Sequence, residues 1–298
     1  MDSTMTIDVR VTSDVGALRE VGPVKAFTLD DLFAESAGVP DPHGDESMKE
    51  FLARFNVEAP DPAVAAVQHA RLVAVRAQHG VTVHWVEPAD SRIQIYTRDM
   101  GFVVDDTFFV ARPSSPVRRR EQAGLAKLLP RLSKVREFDR GHIEGGDVLV
   151  TDDDVLVGLG DSTDADGLAA FRTALAAEGI DRRVVAMEFA HPGVVHLDVH
   201  FTLASPGIGL FNPKAFTPAS RTYLESRFDL IEITEDEVRG LAANTVALGP
   251  DTLIVQATDE RIAHELEARG VTPVLIEYSE ITRFPGGLHC STLPLVRT

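Results

Sequence analysis

The sequence holds a single cysteine, Cys290, among 298 residues. One thiol cannot close an internal disulfide, so a disulfide-stapled secreted scaffold is excluded and a reducing compartment is expected. Basic residues are scarce: 29 Lys and Arg stand against 46 Asp and Glu, a formal net charge of -17. Such a surface repels nucleic-acid phosphates and anionic lipid headgroups, so neither is expected as a partner. The same charge keeps a protein soluble and draws small cations toward a cleft. No apolar stretch approaches the ~18–20 residues of a membrane-spanning helix. Met1 to Asp8 lack the basic segment and apolar run of a secretory leader. These absences predict a soluble, cytoplasmic protein and leave self-association into a homo-oligomer open.

What is present is an ordinary globular composition, 44% hydrophobic and 25% charged, in a chain long enough to bury a large core. Five segments carry apolar residues at intervals of three and four, the period of an amphipathic helix: 62–79, 116–129, 163–178, 218–226 and 259–269. Three of them stop at Gly80, Gly179 and Gly270, where a chain leaving a helix needs positive φ. Each glycine leads into a β-rich run, at 81–86, 183–187 and 271–276. Between the helices, paired short runs flank turn residues: 101–104 with 107–111, 147–150 with 155–159, and 245–248 with 252–256. The unit is hairpin, helix, strand. It recurs about five times at a spacing of roughly 40–55 residues, the range of radial or stacked repeats. No linker divides the chain, so residues 1–298 are expected to form one domain. The polar segment Phe33 to Phe51 is expected to be a flap or an excursion over a site.

Four clusters carry chemistry. Cys290 lies in Pro285-Gly-Gly-Leu-His-Cys-Ser-Thr-Leu-Pro294, where paired glycines permit close backbone approach and a histidine adjoins the thiol. It is either a structural cysteine or a nucleophile. In Val195-His-Leu-Asp-Val-His-Phe201, a strand would put His196, Asp198 and His200 on one face. That face reads as a half-exposed edge, as a proton shuttle with a cation-binding carboxylate, or as a two-histidine, one-carboxylate metal site. Asp99 follows an arginine and precedes Met-Gly at the end of a β-rich run, where a turn cap is the plain reading. Arg118-Arg-Arg-Glu121 opens a helix against its dipole, which hints at an anion. Glu144-Gly-Gly-Asp147 suggests a tight bend carrying Glu144. Together these give one thiol, one histidine and three carboxylates, a set that suits a planar cation with an electrophilic carbon.

In order, Thr97-Arg-Asp99, Arg118-Arg-Arg-Glu121, Glu144-Gly-Gly-Asp147, His196-Leu-Asp198 and Gly286-Gly-Leu-His-Cys290 resemble the guanidino-modifying enzymes. These are the arginine deiminases, dimethylarginine dimethylaminohydrolases and amidinotransferases. The resemblance runs from Ile95 to Arg297 and implies an α/β propeller of five ββαβ units (a pentein), with no cofactor. It implies Cys290 as nucleophile, His196 as general acid and base, and Glu144 and Asp99 on the guanidinium. Asp198 would bind it too, as in deiminases and amidinotransferases, and Arg118 would meet a substrate carboxylate. The implied reaction passes through a thiouronium on sulfur, which water or a second amine resolves.

The sub-family signals diverge. Gly193 to Pro213 resembles the amidinotransferases, and Leu241-Ala-Ala-Asn244 the dimethylarginine hydrolases. The hydrolases carry a second arginine soon after the Glu-Gly-Gly-Asp motif, whereas Gly158 to Thr163 has none. The leading expectation is a cysteine-dependent hydrolase of a guanidino compound. The alternatives are an amidinotransferase, a metal enzyme built on His196, Asp198 and His200, and a non-catalytic binder.

Overall fold

The computed structural model describes residues 5–24, 60–89, 93–283 and 286–298. The Phe33–Phe51 segment lies outside them. The described strands and helices run, in chain order, β1 (Leu18–Val21), α1 (Pro62–Gln78), β2 (Thr82–Val83), β3 (Gly101–Val104), β4 (Thr107–Val110), α2 (Pro116–Arg120), β5 (Val135–Arg136), β6 (Val148–Val150), β7 (Asp154–Leu159), α3 (Ala165–Glu178) and β8 (Arg183–Glu188). They continue through β9 (Phe201–Ser205), β10 (Ile208–Phe211), α4 (Pro218–Arg227), β11 (Asp229–Glu232), α5 (Glu235–Arg239), β12 (Val246–Gly249), β13 (Thr252–Gln256), α6 (Glu260–Glu267), β14 (Thr272–Ile276) and β15 (Pro294–Arg297).

The three hairpins expected from the sequence form as antiparallel pairs, β3 with β4, β6 with β7 and β12 with β13. Each gains a third strand parallel to its second. A parallel neighbour needs a crossover, and the helices supply it. The result is five three-stranded sheets, the five blades of an α/β propeller. One blade is closed by both ends of the chain: β15 pairs antiparallel to β1, and β2 runs parallel to β1 after α1. That closure places Cys290, just ahead of β15, against the first blade.

Local chemistry sets the helix ends. Asp61 accepts hydrogen bonds from the N–H groups of Ala63 and Val64, and Pro62 opens α1 without a lost donor. The glycines Gly80, Gly179 and Gly270 take φ of 78°, 72° and 79°, as expected where helices give way to strands. Packing locks the blades to their helices. Phe102 of β3 and Phe109 of β4 stack at 5.6 Å, and Phe171 of α3 meets both edge-on at 5.4 and 5.3 Å. All three rings are buried, and each contributes roughly 1.5–3 kcal/mol by leaving water. Truncating Phe171 to alanine would cost about 3–5 kcal/mol.

Several expectations are corrected. The run 195–201 is not a strand: Leu197–Val199 is a single 3-10 turn, and β9 begins at Phe201. The alternation of His196, Asp198 and His200 along one face is therefore lost. The fourth hairpin, β9 with β10, was hidden inside a stretch read for its histidines. The helix expected over 116–129 ends at Arg120 and continues as 3-10 turns, Glu121–Leu125 and Leu129–Arg131. Pro130 has no N–H to continue a helix there. The run 81–86 shortens to β2, and α5, capped by Thr234 and Glu237 in a reciprocal box, was not foreseen. Among the described residues, no helix is long and apolar enough to cross a membrane.

Candidate active site

Three 3-10 turns lead directly into the first strands of their blades: Thr97–Met100 before β3, Gly145–Asp147 before β6 and Leu197–Val199 before β9. Asn244 precedes β12 and Cys290 precedes β15 in the same manner. Asp99, Asp147, Asp198, Asn244 and Cys290 thus recur at intervals of 46 to 51 residues, one per blade. A repeated fold brings repeated positions to one centre, which is why residues so far apart in sequence meet.

Arg98 ties two of these turns together. Its Nε donates to Gly145 O at 3.0 Å, its Nη2 to Val148 O at 2.5 Å and its Nη1 to Asp14 at 3.4 Å. Its own N–H donates to Cys290 O at 2.9 Å. Gly145 and Gly146 are required by closeness. A Cβ on Gly145 would lie 2.0 Å from Arg98 O, and one on Gly146 would lie 2.7 Å from both Asp99 Oδ1 and the His196 ring.

His196 sits between two carboxylates. Its Nε2 is 3.0 Å from Glu144 Oε2, and its Nδ1 is 3.6 Å from Asp99 Oδ1. Burial alone would lower its pKa. Asp99, the Glu144 hydrogen bond and Asp147 outweigh that and push it up to about 10. The reverse holds for Glu144, where burial is outweighed by the imidazolium and its carboxyl falls below the usual range. Glu144 Oε1 also accepts the Ser114 N–H at 3.1 Å. Asp147, buried beneath, holds the His196 turn by accepting from Leu197 N at 3.0 Å and Thr163 Oγ1 at 2.6 Å. Burial raises its pKa to about 7.

Cys290 is 2% exposed. Its Sγ lies 3.5 and 3.7 Å from the two Asp198 oxygens and accepts from Asn244 Nδ2 at 3.1 Å. Burial, then Asp198 and Asp99, push the thiol well above its ordinary pKa. Asp198 also meets His289 Nδ1 at 2.8 Å, and this partner outweighs burial and lowers its pKa. Gly287 serves close approach as expected, but to Asn244: a Cβ there would lie 2.9 Å from Asn244 Oδ1.

The structure thus brings Asp99, Glu144 and His196 into one group and Asp198 and Cys290 into another. Arg118 joins the first: its Nη1 donates to Asp99 at 2.6 Å, and its Nε and Nη2 grip Glu121 at 3.2 and 2.8 Å. His196, Asp198 and His200 do not form the metal site considered from their spacing. Asp198 is engaged by His289, while His200 Nδ1 meets Asn212 Nδ2 at 3.1 Å. The group whose donor atoms do lie within 4.8 Å of one another is Asp99, Glu144 and His196. Those donors face each other, Arg118, and the N–H groups of Ser114 and Gly146.

A model of the family described as N,N dimethylarginine dimethylhydrolase, eukaryotic, matches residues 46–297. The chain belongs to this dimethylarginine dimethylhydrolase family. Its relatives include YkgA of Bacillus subtilis, called an uncharacterized protein, 33% identical over 77% of this chain and 79% of that one. The N(G),N(G)-dimethylarginine dimethylaminohydrolase of Streptomyces coelicolor is 28% identical over 86% of this chain and 94% of its own. Among solved structures, the N-terminal domain of ArgZ, a cyanobacterial arginine dihydrolase, shares the fold with a TM-score of 0.73. It is 20% identical and covers 94% of this chain and 98% of that one.

As a member of the dimethylarginine dimethylhydrolase family, the chain is a hydrolase of the guanidino-modifying superfamily. Sequence reasoning missed three parts of its centre. Asn244 was noted only as a sub-family signal, His289 only as a neighbour of the thiol, and Arg98 only as the residue before Asp99. The blade-to-blade interval from Asp198 to Asn244 to Cys290 was the signal that could have found Asn244.

Proposed function

We propose that the protein hydrolyses a guanidino compound by covalent catalysis at Cys290, arginine or a methylarginine being the first candidates. The observation that carries the reading is the sulfur of Cys290 at 3.5 Å from one carboxylate, in a buried centre that also holds an imidazole between two others. A guanidinium is the planar cation that pairs with carboxylates by forked hydrogen bonds. Asp99, Glu144 and Asp198 are the groups we assign to it.

Arg118 we assign to two tasks. It fixes Asp99, and a guanidinium has five N–H donors. The bonds to Asp99, Glu121 and Tyr96 O leave one Nη1 hydrogen for a substrate carboxylate.

The chemistry follows from charge. In the free site the carboxylates hold the thiol protonated, with Sγ–H facing Asp198. A guanidinium brought among them reverses the local field and favours the thiolate, the thiol proton passing to solvent as the substrate enters. The thiolate adds to the guanidinium carbon. The tetrahedral adduct expels its amine, which takes a proton from the His196 imidazolium. A thiouronium remains on sulfur. Neutral His196 then takes a proton from water, the hydroxide adds, and collapse returns the thiolate and a ureido product.

The test is covalent capture. The protein is mixed with a panel of guanidino compounds, quenched and weighed by intact-mass spectrometry, with ureido product measured in parallel. An adduct at Cys290 that decays to ureido product is expected. Absence of both across the panel would reject the reading. The run Gly193–Pro213 favours a second reading, amidino transfer, and product that forms only when an amine acceptor is added would establish it instead.

A further inference from the structure

Among the described residues, the guanidinium of Arg76 has no acidic partner other than the weakly acidic phenol of Tyr278. Arg76 lies on α1 with its side chain fully buried, and among the described residues no carboxylate pairs with it. Its Nη2 donates to Ser291 O at 3.2 Å and to Thr292 Oγ1. Its Nε and Nη1 find no partner. Thr292 Oγ1 passes the bond on to Leu288 O at 2.7 Å, and Ser291 Oγ donates to Gly287 O at 2.8 Å. The turn that carries Cys290 is therefore gripped immediately after the sulfur-bearing residue by a side chain from the first blade.

A clamp alone does not need a charge. A neutral amide could make such bonds without the heavy desolvation cost of an unpaired cation. What a buried cation adds is a field that the low-dielectric interior does not screen. Such a field has a use here. Cys290 faces Asp198, which His289 pairs, and Asp99 and the phenols of Tyr96 and Tyr278 stand in the same centre, so the negative charge at hand opposes ionisation of the sulfur. Arg76 remains protonated at neutral pH, since burial lowers its pKa only to about 10.

We infer that Arg76 is a positioning residue for the nucleophile: it pins the 287–292 turn and its buried charge favours the thiolate of Cys290. The inference rests on Cys290 being the nucleophile. Because the chain has one cysteine, iodoacetamide labelling reports on that sulfur alone. The rate of labelling is measured against pH for the parent, Arg76→Met and Arg76→Lys, with circular dichroism confirming the fold of each. Arg76→Met is expected to move the profile about one unit to higher pH, which slows labelling near neutrality about tenfold. Arg76→Lys, which keeps the charge, is expected to retain the parental profile. A folded Arg76→Met with the parental profile overturns the inference, as does an Arg76→Lys profile displaced as far as that of Arg76→Met. Should the methionine variant not fold, the lysine variant decides alone by the same criterion. Labelling needs no turnover, so the two readings fail separately. A displaced profile in a protein that turns over no guanidino compound would spare Arg76 and sink the proposed function. An unmoved profile in an active enzyme would do the opposite.

Discussion

Asn244 holds Cys290 from two sides: its Nδ2 donates to the sulfur at 3.1 Å while its Oδ1 accepts the Cys290 N–H at 3.2 Å. The same Oδ1 accepts the His289 N–H at 2.9 Å, and Nδ2 also reaches Asp198 O at 3.0 Å. One amide thus holds the Cys290 sulfur, its backbone and the backbone carbonyl of Asp198 opposite. Asn244→Ala is expected to lower kcat on the order of a hundredfold, the loss seen when one preorganised donor is removed. Asn244→Asp should be worse, because it sets another negative charge against the sulfur. Steady-state kinetics of the three proteins check this, and an aspartate variant as active as the parent would contradict the arrangement.

Cys290→Ser tests covalency itself. A hydroxyl in place of the thiol keeps the volume nearly unchanged, so the melting temperature should stay close to the parent. Turnover should fall by several orders of magnitude, as loss of a covalent nucleophile does, and no adduct should appear by intact mass. Activity within tenfold of the parent would remove sulfur from the mechanism.

The sequence carried the repeat and pointed to most of the residues that meet at the centre, for different physical reasons. Hairpins announced themselves through Asp-Asp and Gly-Pro-Asp turns, and helix ends through glycines at Gly80, Gly179 and Gly270, because those are local rules. Asp99, Glu144, His196, Asp198 and Cys290 stood out as polar residues among apolar or glycine-rich neighbours. The turn at Leu197–Val199 did not, since alternating apolar residues there imitate a strand. The bond from Asn244 to the sulfur depends on two blades meeting, which no window of sequence contains. Arg118 was read for an anion from outside because its partner Asp99 lies on another turn.

His196 links the site to stability. Its pKa in the folded protein is about 10 against an ordinary value of 6.5. A raised pKa stabilises the fold fully below the unfolded value and ceases to do so as pH rises through the folded one. The melting-temperature gap between the parent and His196→Ala should therefore be widest below about pH 6.5 and should shrink toward pH 10. Thermal scans across that window measure it. A gap independent of pH would mean that the imidazole is not held charged. The same variant should accumulate the thiouronium, since the group that activates water is gone.

Gly146→Ala asks how tightly the centre is built. The added methyl would stand 2.7 Å from Asp99 Oδ1 and from the His196 ring, so one of them must move. Overpacking of this kind costs about 1–3 kcal/mol. The Gly240→Ala control, with its nearest contacts at 3.6 and 3.7 Å, should be close to neutral. Chemical denaturation of both variants decides it: equal stability would show that the turn yields where it should be rigid.

Arg118 separates holding the site from holding the substrate. Glu121 is 1% exposed and Asp99 2%, so removing the guanidinium takes from two buried carboxylates the cation they share. Breaking such a buried pair costs about 3–5 kcal/mol. Arg118→Lys keeps the charge but cannot bridge both acids with a planar fork, so it should be milder and foldable. Its kcat should fall for every substrate, because Asp99 loses its anchor. Its KM should rise further for guanidino substrates with an α-carboxylate than for those without one, because the remaining Nη1 hydrogen is lost too. Kinetics on one substrate of each kind provide the comparison. If KM rises equally for both, Arg118 acts through Asp99 alone, and the tail of the substrate is held by another group.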